Sequence, residues 1–290
     1  MPLLLTLAKG VLTGVGKRPD ADAPLPADRP GAPAVRVDPD RLAAYAAVCG
    51  FRRSDRLPLT YPHILGFPLA ARLMADRRFP LPLLGLVHTS IEIVQRRPIP
   101  PGERPGITVR AEGLRPHRRG VEAVIVTEAL IDGEVVWADR SGYLARTRGN
   151  GTREGGTSRR ATDREATGSG SPALGSEAVL PTVAEWRLPA DLGRRHASVS
   201  GDWNPIHVHP LTARPFGFPR AIAHGMWTVA RCAAEAVPED AEEVTLRAEF
   251  KAPVLLPATV SYAAASGAFA VRSGDRLHLS GTVELPPRTG

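Results

Sequence analysis

Asp202, His207 and Gly225 are the residues of this 290-residue chain whose types and spacing spell out chemistry. Residues 200–209 read SGDWNPIHVH, and residues 223–227 read AHGMW. Between the carboxylate and the imidazole stands an Asn204-Pro205 pair, which disfavours a continuing helix and predicts a loop on which both side chains can converge on one water. An Asp and a His sharing a water form a general acid/base pair: one takes a proton from the water and the other delivers one to a substrate. Met226 and Trp227 would add an apolar wall, which moves a carboxylate pKa toward a useful value. Gly225 falls at the start of a predicted helix, where backbone N–H groups are unpaired and the dipole is positive. Without a Cβ there, a ligand carbonyl can approach and its developing negative charge can be stabilised. These elements together describe hydration of a double bond conjugated to a carbonyl, and equally hydrolysis of a thioester. The residues alone leave both open.

The helix that carries Gly225 is predicted from about His224 to Val237. Met226, Val229, Ala230 and Ala233 recur at helical spacing, and Pro238 stops the run. Short, partly alternating segments follow (VTLRAEF, TVSYAAA, AFAVRS, RLHLSGTVEL), separated by Pro or Gly turns as an antiparallel sheet requires. A long helix lying across such a sheet is an α+β arrangement.

Residues 147–176 are rich in Gly, Ser, Thr and charge and read as a flexible linker. It separates residues 1–146 from residues 177–290, each of ordinary domain size. The two parts repeat one another in order. DRLAAYAAVCGF (40–51) answers ADLGRRHASVSGDW (190–203) with Gly50 on Gly201, and TYPHILGFPLAARLM (60–74) answers GFPRAIAHGMWTVARCA (217–233). VHTSIEIVQRRPI (87–99) answers VTLRAEFKAPV (244–254), and DGEVVWADRSGYLAR (132–146) answers SGDRLHLSGTVEL (273–285). An internal duplication follows, with a period far longer than solenoid repeats show.

The formal net charge of +7 and pI of about 10.1 do not indicate a nucleic-acid partner. Lys9, Lys17 and Lys251 are the only lysines, Ala, Gly and Pro are plentiful as well, and aromatics at 5% are too few for a base-stacking platform. An anionic small molecule remains compatible with the charge, and Arg194, Arg195, Arg214 and Arg220 flank the motif segments. Cys49 and Cys232 stand in no metal-ligand spacing, which points to a reduced, cytoplasmic protein. His207 and His209 form an HxH without a third ligand at useful spacing, so no metal is expected. His63 and His88 are either remnants of a site or ordinary core and loop residues, and the ordinary reading is favoured. The N-terminal MPLLLTLAKGVLTG reads as a packed helix or strand, and no run reaches the roughly 18 apolar residues of a membrane span.

SGDWNPIH followed by AHGM resembles the MaoC-like family of hot-dog-fold (R)-specific enoyl-thioester hydratases and (3R)-hydroxyacyl-thioester dehydratases. The resemblance covers about residues 185–285, including FKAPVLLPATV (250–260). It implies a double hot-dog whose first half is degenerate: Phe51 stands where Asp202 does, and His207 has no counterpart. By the same resemblance Asp202 and His207 hold the water, the Gly225 N–H binds the thioester carbonyl, and Asn204 fixes the loop. His224, Met226 and Arg220 are the remaining substrate-binding candidates. No cofactor is implied. The partner is an acyl-CoA or an acyl-carrier-protein thioester, and the oligomeric state stays open, a homodimer included. Some members carry a serine two turns into the central helix, where this chain has Ala233. Two alternatives stand beside the hydratase. A hot-dog thioesterase would want a carboxylate on the central helix, where only Glu235, near the far end, is available. A non-catalytic subunit that binds acyl carriers fits poorly with an intact Asp202, His207 and Gly225.

Overall fold

A computed structural model describes residues 14, 16–83, 85–146 and 180–287. The expected linker and residues 1–13 lie outside the described residues. The first half contains β1 (Gly31–Ala32), α1 (Pro39–Cys49), α2 (Tyr61–Met74), β2 (Val87–Gln95), β3 (Gly106–His117), β4 (Gly120–Ile131) and β5 (Glu134–Arg146). The second contains β6 (Thr182–Leu188), α3 (Leu192–Ser200), the short helices α4 (Pro205–Val208) and α5 (Pro210–Ala213), a 3-10 turn (Arg214–Phe216) and α6 (Gly225–Ala236). Strands β7 (Val244–Phe250), β8 (Ala258–Ala265), β9 (Ala268–Ser273) and β10 (Arg276–Glu284) close it. The predicted long helix and the four strands after it all form.

All the strands belong to one antiparallel sheet in the order β1-β3-β4-β5-β2-β7-β10-β9-β8-β6. Counted outward from the β2–β7 junction, the halves run β2-β5-β4-β3-β1 and β7-β10-β9-β8-β6. The strand order is therefore the same on both sides, as the duplication requires. The junction runs from Ser90↔Glu249 to Gln95↔Val244, so each half covers what would be the other's open edge. In β7, Val244, Leu246 and Ala248 point inward in strict alternation, and this half-buried strand needs that period. Helix α2 packs on β3 and β4, and α6 packs on β7.

One hydrophobic cluster draws on both halves, with Tyr45, Trp137, Trp186, Val229 and Leu246 all buried in it. A hydrogen bond also crosses the junction: the Trp227 indole on α6 donates to the Val48 carbonyl on α1 at 2.8 Å. Helices α1 and α3 end identically. Gly50 (φ 79°) and Gly201 (φ 84°) adopt the left-handed conformation and return their N–H groups to Ala46 and Ala197, a C-cap that glycine makes without strain. The halves part at the next residue, Phe51 in one and Asp202 in the other. After Phe51 the chain reaches α2 within ten residues, at Tyr61, whereas after Asp202 it winds through α4, α5 and the 3-10 turn before α6.

Candidate active site

Side chains two residues apart tie the SGDWNPIH segment together. The Ser200 hydroxyl accepts the Asp202 N–H at 3.1 Å, and Asp202 Oδ1 accepts the Asn204 N–H at 3.1 Å. Asn204 then caps α4 through Ile206 N, the Asx-type local bonding that Asp and Asn offer in turns. Pro205 starts α4 with its φ already set, and this short helix turns His207 inward, where it is 7% exposed. Its Nδ1 donates to the Ile222 carbonyl at 2.8 Å. That bond fixes the tautomer and leaves Nε2 with its lone pair free. Gly193 on α3 makes room for the turn, since a Cβ there would overlap the His207 carbonyl oxygen. From the first half, Arg41 donates to the carbonyls of Val199 (2.7 Å) and Ser200 (3.0 Å) and so anchors the end of α3.

His224 precedes α6 and ties the second motif to the first. Its Nε2 donates to the Asp202 carbonyl at 2.9 Å, and its ring stacks on His207 with centroids 3.7 Å apart. An Asp202 carboxylate oxygen and one ring nitrogen from each of His207 and His224 lie within 4.8 Å of one another, a gap that one water bridges. Of the ring nitrogens here, His207 Nδ1 and His224 Nε2 are engaged by carbonyls. Gly225 opens α6, and no side chain caps that terminus. A Cβ at Gly225 would come within 2.8 Å of the Phe250 ring, so this position admits only glycine beside that ring. The backbone N–H and positive dipole end are thereby left available to a carbonyl oxygen.

Burial pushes His207 down to about 3, helped by neighbouring His224 and opposed by Asp202 and the Ile222 carbonyl. Burial lowers His224 to about 4 and His196 well below its ordinary value. At neutral pH the rings are therefore uncharged, and His207 Nε2 is a proton acceptor.

Asp202, Asn204, His207, His224, Gly225 and Met226 all line one cavity of about 660 Å³, within the usual size of a small-molecule site. Arg220 does not. It is exposed and donates to the Pro257 carbonyl at 3.2 Å, and Arg194 is spent on the Val208 carbonyl. The cations at this cavity come instead from Arg115, Arg118 and Arg119 at the β3–β4 hairpin, with Arg146 and Lys251. His63 and His88 also line it, as do Phe67, Ala71 and Met74 of α2. Glu235, the carboxylate a thioesterase would need, pairs with Arg231 one turn earlier and is not in the wall. Arg41, Gly193 and Phe250 left no signal in the sequence, because each acts on residues far away in the chain.

Two antiparallel hot dogs joined edge to edge, with Asp202, His207 and an uncapped helix N-terminus lining one cavity, define a double hot-dog protein of the acyl-thioester-processing class. Comparison with known proteins narrows this. Residues 179–283 match the family model described as a MaoC-like domain. The chain is 37% identical over 231 residues to 3-hydroxyacyl-thioester dehydratase X of Mycobacterium tuberculosis, covering 80% of this chain and 78% of that one. The crystal structure of HtdX from the same organism superposes with a TM-score of 0.74 at 34% identity, over 88% of this chain and 99% of that one. A further M. tuberculosis protein described as a double hotdog fold matches at 12% identity and a TM-score of 0.55, covering 92% and 98%; that likeness is one of fold. The chain belongs to the MaoC-like dehydratase family.

Proposed function

We propose that the protein is a hydro-lyase that interconverts trans-2-enoyl and (3R)-3-hydroxyacyl thioesters at Asp202, His207 and Gly225. The observation that carries the reading is the meeting of Asp202 and His207 across a one-water gap in a cavity that also contains the uncapped start of α6. In the hydration direction, Asp202 orients a water and His207 Nε2 takes its proton. The water oxygen bonds to C3, the C2–C3 π pair moves toward the carbonyl, and the Gly225 N–H stabilises the enolate-like oxygen. The proton held by His207 returns to C2. Dehydration is the same sequence reversed. Asn204 and His224 hold the loop and line the cavity with Met226, while Arg220 lies outside it, bonded to the Pro257 carbonyl.

No metal or cofactor enters this scheme. Both halves of the hot-dog pair lie in one chain, so the site needs no second copy. The substrate is an acyl thioester of CoA or acyl carrier protein. Cys49 and Cys232 are buried free thiols, which suits the reducing cytoplasm; among the described residues no helix is long and apolar enough to cross a membrane. The test follows enoyl absorbance and free thiol together with crotonyl-CoA and longer enoyl-CoAs. Loss of absorbance without thiol is expected. Thiol release would mean a thioesterase, and neither change would mean a binding subunit. Parallel assays with acyl-carrier-protein thioesters identify the carrier.

A further inference from the structure

A second polar constellation lies in the same cavity, on the half that lacks the motif. His63 Nδ1 meets Asp139 Oδ2 at 2.7 Å, with both side chains almost completely buried. Asp139, Ser141 and Tyr143 alternate along β5 and so share one face of the sheet. The Ser141 hydroxyl donates to Asp139 Oδ1 at 3.2 Å. His88 lies opposite Tyr143 in the β2–β5 register and stacks on it at 4.7 Å. The His88 Nε2 is buried without a partner. With Nδ1 bonded to Asp139, His63 lines the cavity with no hydrogen bond from its Nε2 to any described residue. A buried polar network of this kind is rarely the most stabilising way to fill such space.

The neighbours of His63 suggest what Nε2 receives. His63, Phe67, Ala71 and Met74 recur at helical spacing on the cavity-lining stripe of α2, and all but His63 are apolar. An acyl chain lying along this stripe would find hydrocarbon contacts everywhere except beside His63. We propose that His63, oriented by Asp139 and flanked by Tyr143 and His88, is a specificity-determining residue whose Nε2 hydrogen-bonds a hydroxyl group on the acyl chain. The assignment rests on the acyl-thioester reading above. It makes the first half a reader of oxygenated chains, because an unsubstituted chain leaves the His63 nitrogen buried and unpaired.

The test compares trans-2-decenoyl-CoA with its 5-, 6-, 7- and 8-hydroxy derivatives. Wild-type protein should turn over one isomer with kcat/KM at least about 10-fold above the unsubstituted chain. His63→Phe, which keeps an aromatic ring and removes both ring nitrogens, should bring that ratio to within about 2-fold of unity. A wild type that hydrates the plain chain and prefers no isomer overturns the assignment while leaving the hydratase reading intact. This readout needs no variant, so a misfolded His63→Phe does not shelter the idea. An equal loss on all chains in His63→Phe marks a structural role and also overturns it. So does a loss seen with CoA substrates and absent with N-acetylcysteamine thioesters, which would place the contact on the carrier arm. A wild type that hydrates none of these thioesters removes both readings.

Discussion

The stretches after Gly50 and Gly201 start from the same helix end and become different things. Both follow a left-handed glycine cap, and both lead to a helix lying across the sheet. After Gly50, Phe51 packs against Tyr45 in the core and a short crossing reaches Tyr61. After Gly201, Asp202 and the turns behind it build a polar pocket of side chains bonded to backbone groups. A repeated backbone thus sets where a loop begins, and the residues that follow decide whether it becomes core or chemistry. The halves still depend on each other, since Arg41 of the first holds the carbonyls beside Asp202 of the second.

The largest break in this contrast should come from Asp202→Asn, which keeps the shape of the loop and removes its carboxylate. Hydratase kcat/KM should fall on the order of 10³-fold in the absorbance assay, and retention of full activity would refute the mechanism. Gly225→Ala should cost about 100-fold in kcat, with a lowered melting temperature because the new methyl meets Phe250. Acid should unfold the protein through its buried rings. Histidines held near 3 to 4 in the fold, such as His207, His224 and His88, have ordinary values near 6.5 when unfolded. The unfolded state therefore binds more protons below that value, and stability present above it is lost as pH falls toward 4. Denaturant melts at pH 7 and pH 5 should differ by about 2 kcal/mol per histidine; equal stability would contradict the burial argument. Arg41→Ala should lower kcat about 10-fold with little change in KM, although Arg41 lies in the half without a motif. Phe51→Asp in an Asp202→Asn background should restore nothing, since no His207 counterpart follows it. Any recovered activity would mean the first loop can still form a site.

The motif, the helix from Gly225, the strands and the repeat were legible because each is written in local spacing: an Asx-Pro turn, a 3.6-residue period, alternation along strands. Asn204 as a loop former was legible for the same reason. The support around the site was not. Arg41 reaches Val199 across 158 positions, His63 meets Asp139 across 76, and Phe250 meets Gly225 only because the sheet curls under α6. His63 and His88 read as ordinary residues because a histidine carries no mark of what will face it. Arg220 and Arg194 attracted notice by closeness in sequence to the motif, while the arginines that reach the cavity come from a hairpin some 80 to 100 positions away along the chain.

The pairing of β2 with β7 within one polypeptide has a consequence for how such a protein can change. In a dimer of identical hot dogs every substitution appears twice, so reshaping the cavity wall on one helix would also alter the helix whose N-terminus opens on the cavity. Here α2 and α6 are separate stretches of sequence locked side by side by Ser90 through Gln95. The chain can rewrite the wall one residue at a time and leave its chemistry untouched, which makes substrate range and catalytic competence independently adjustable traits.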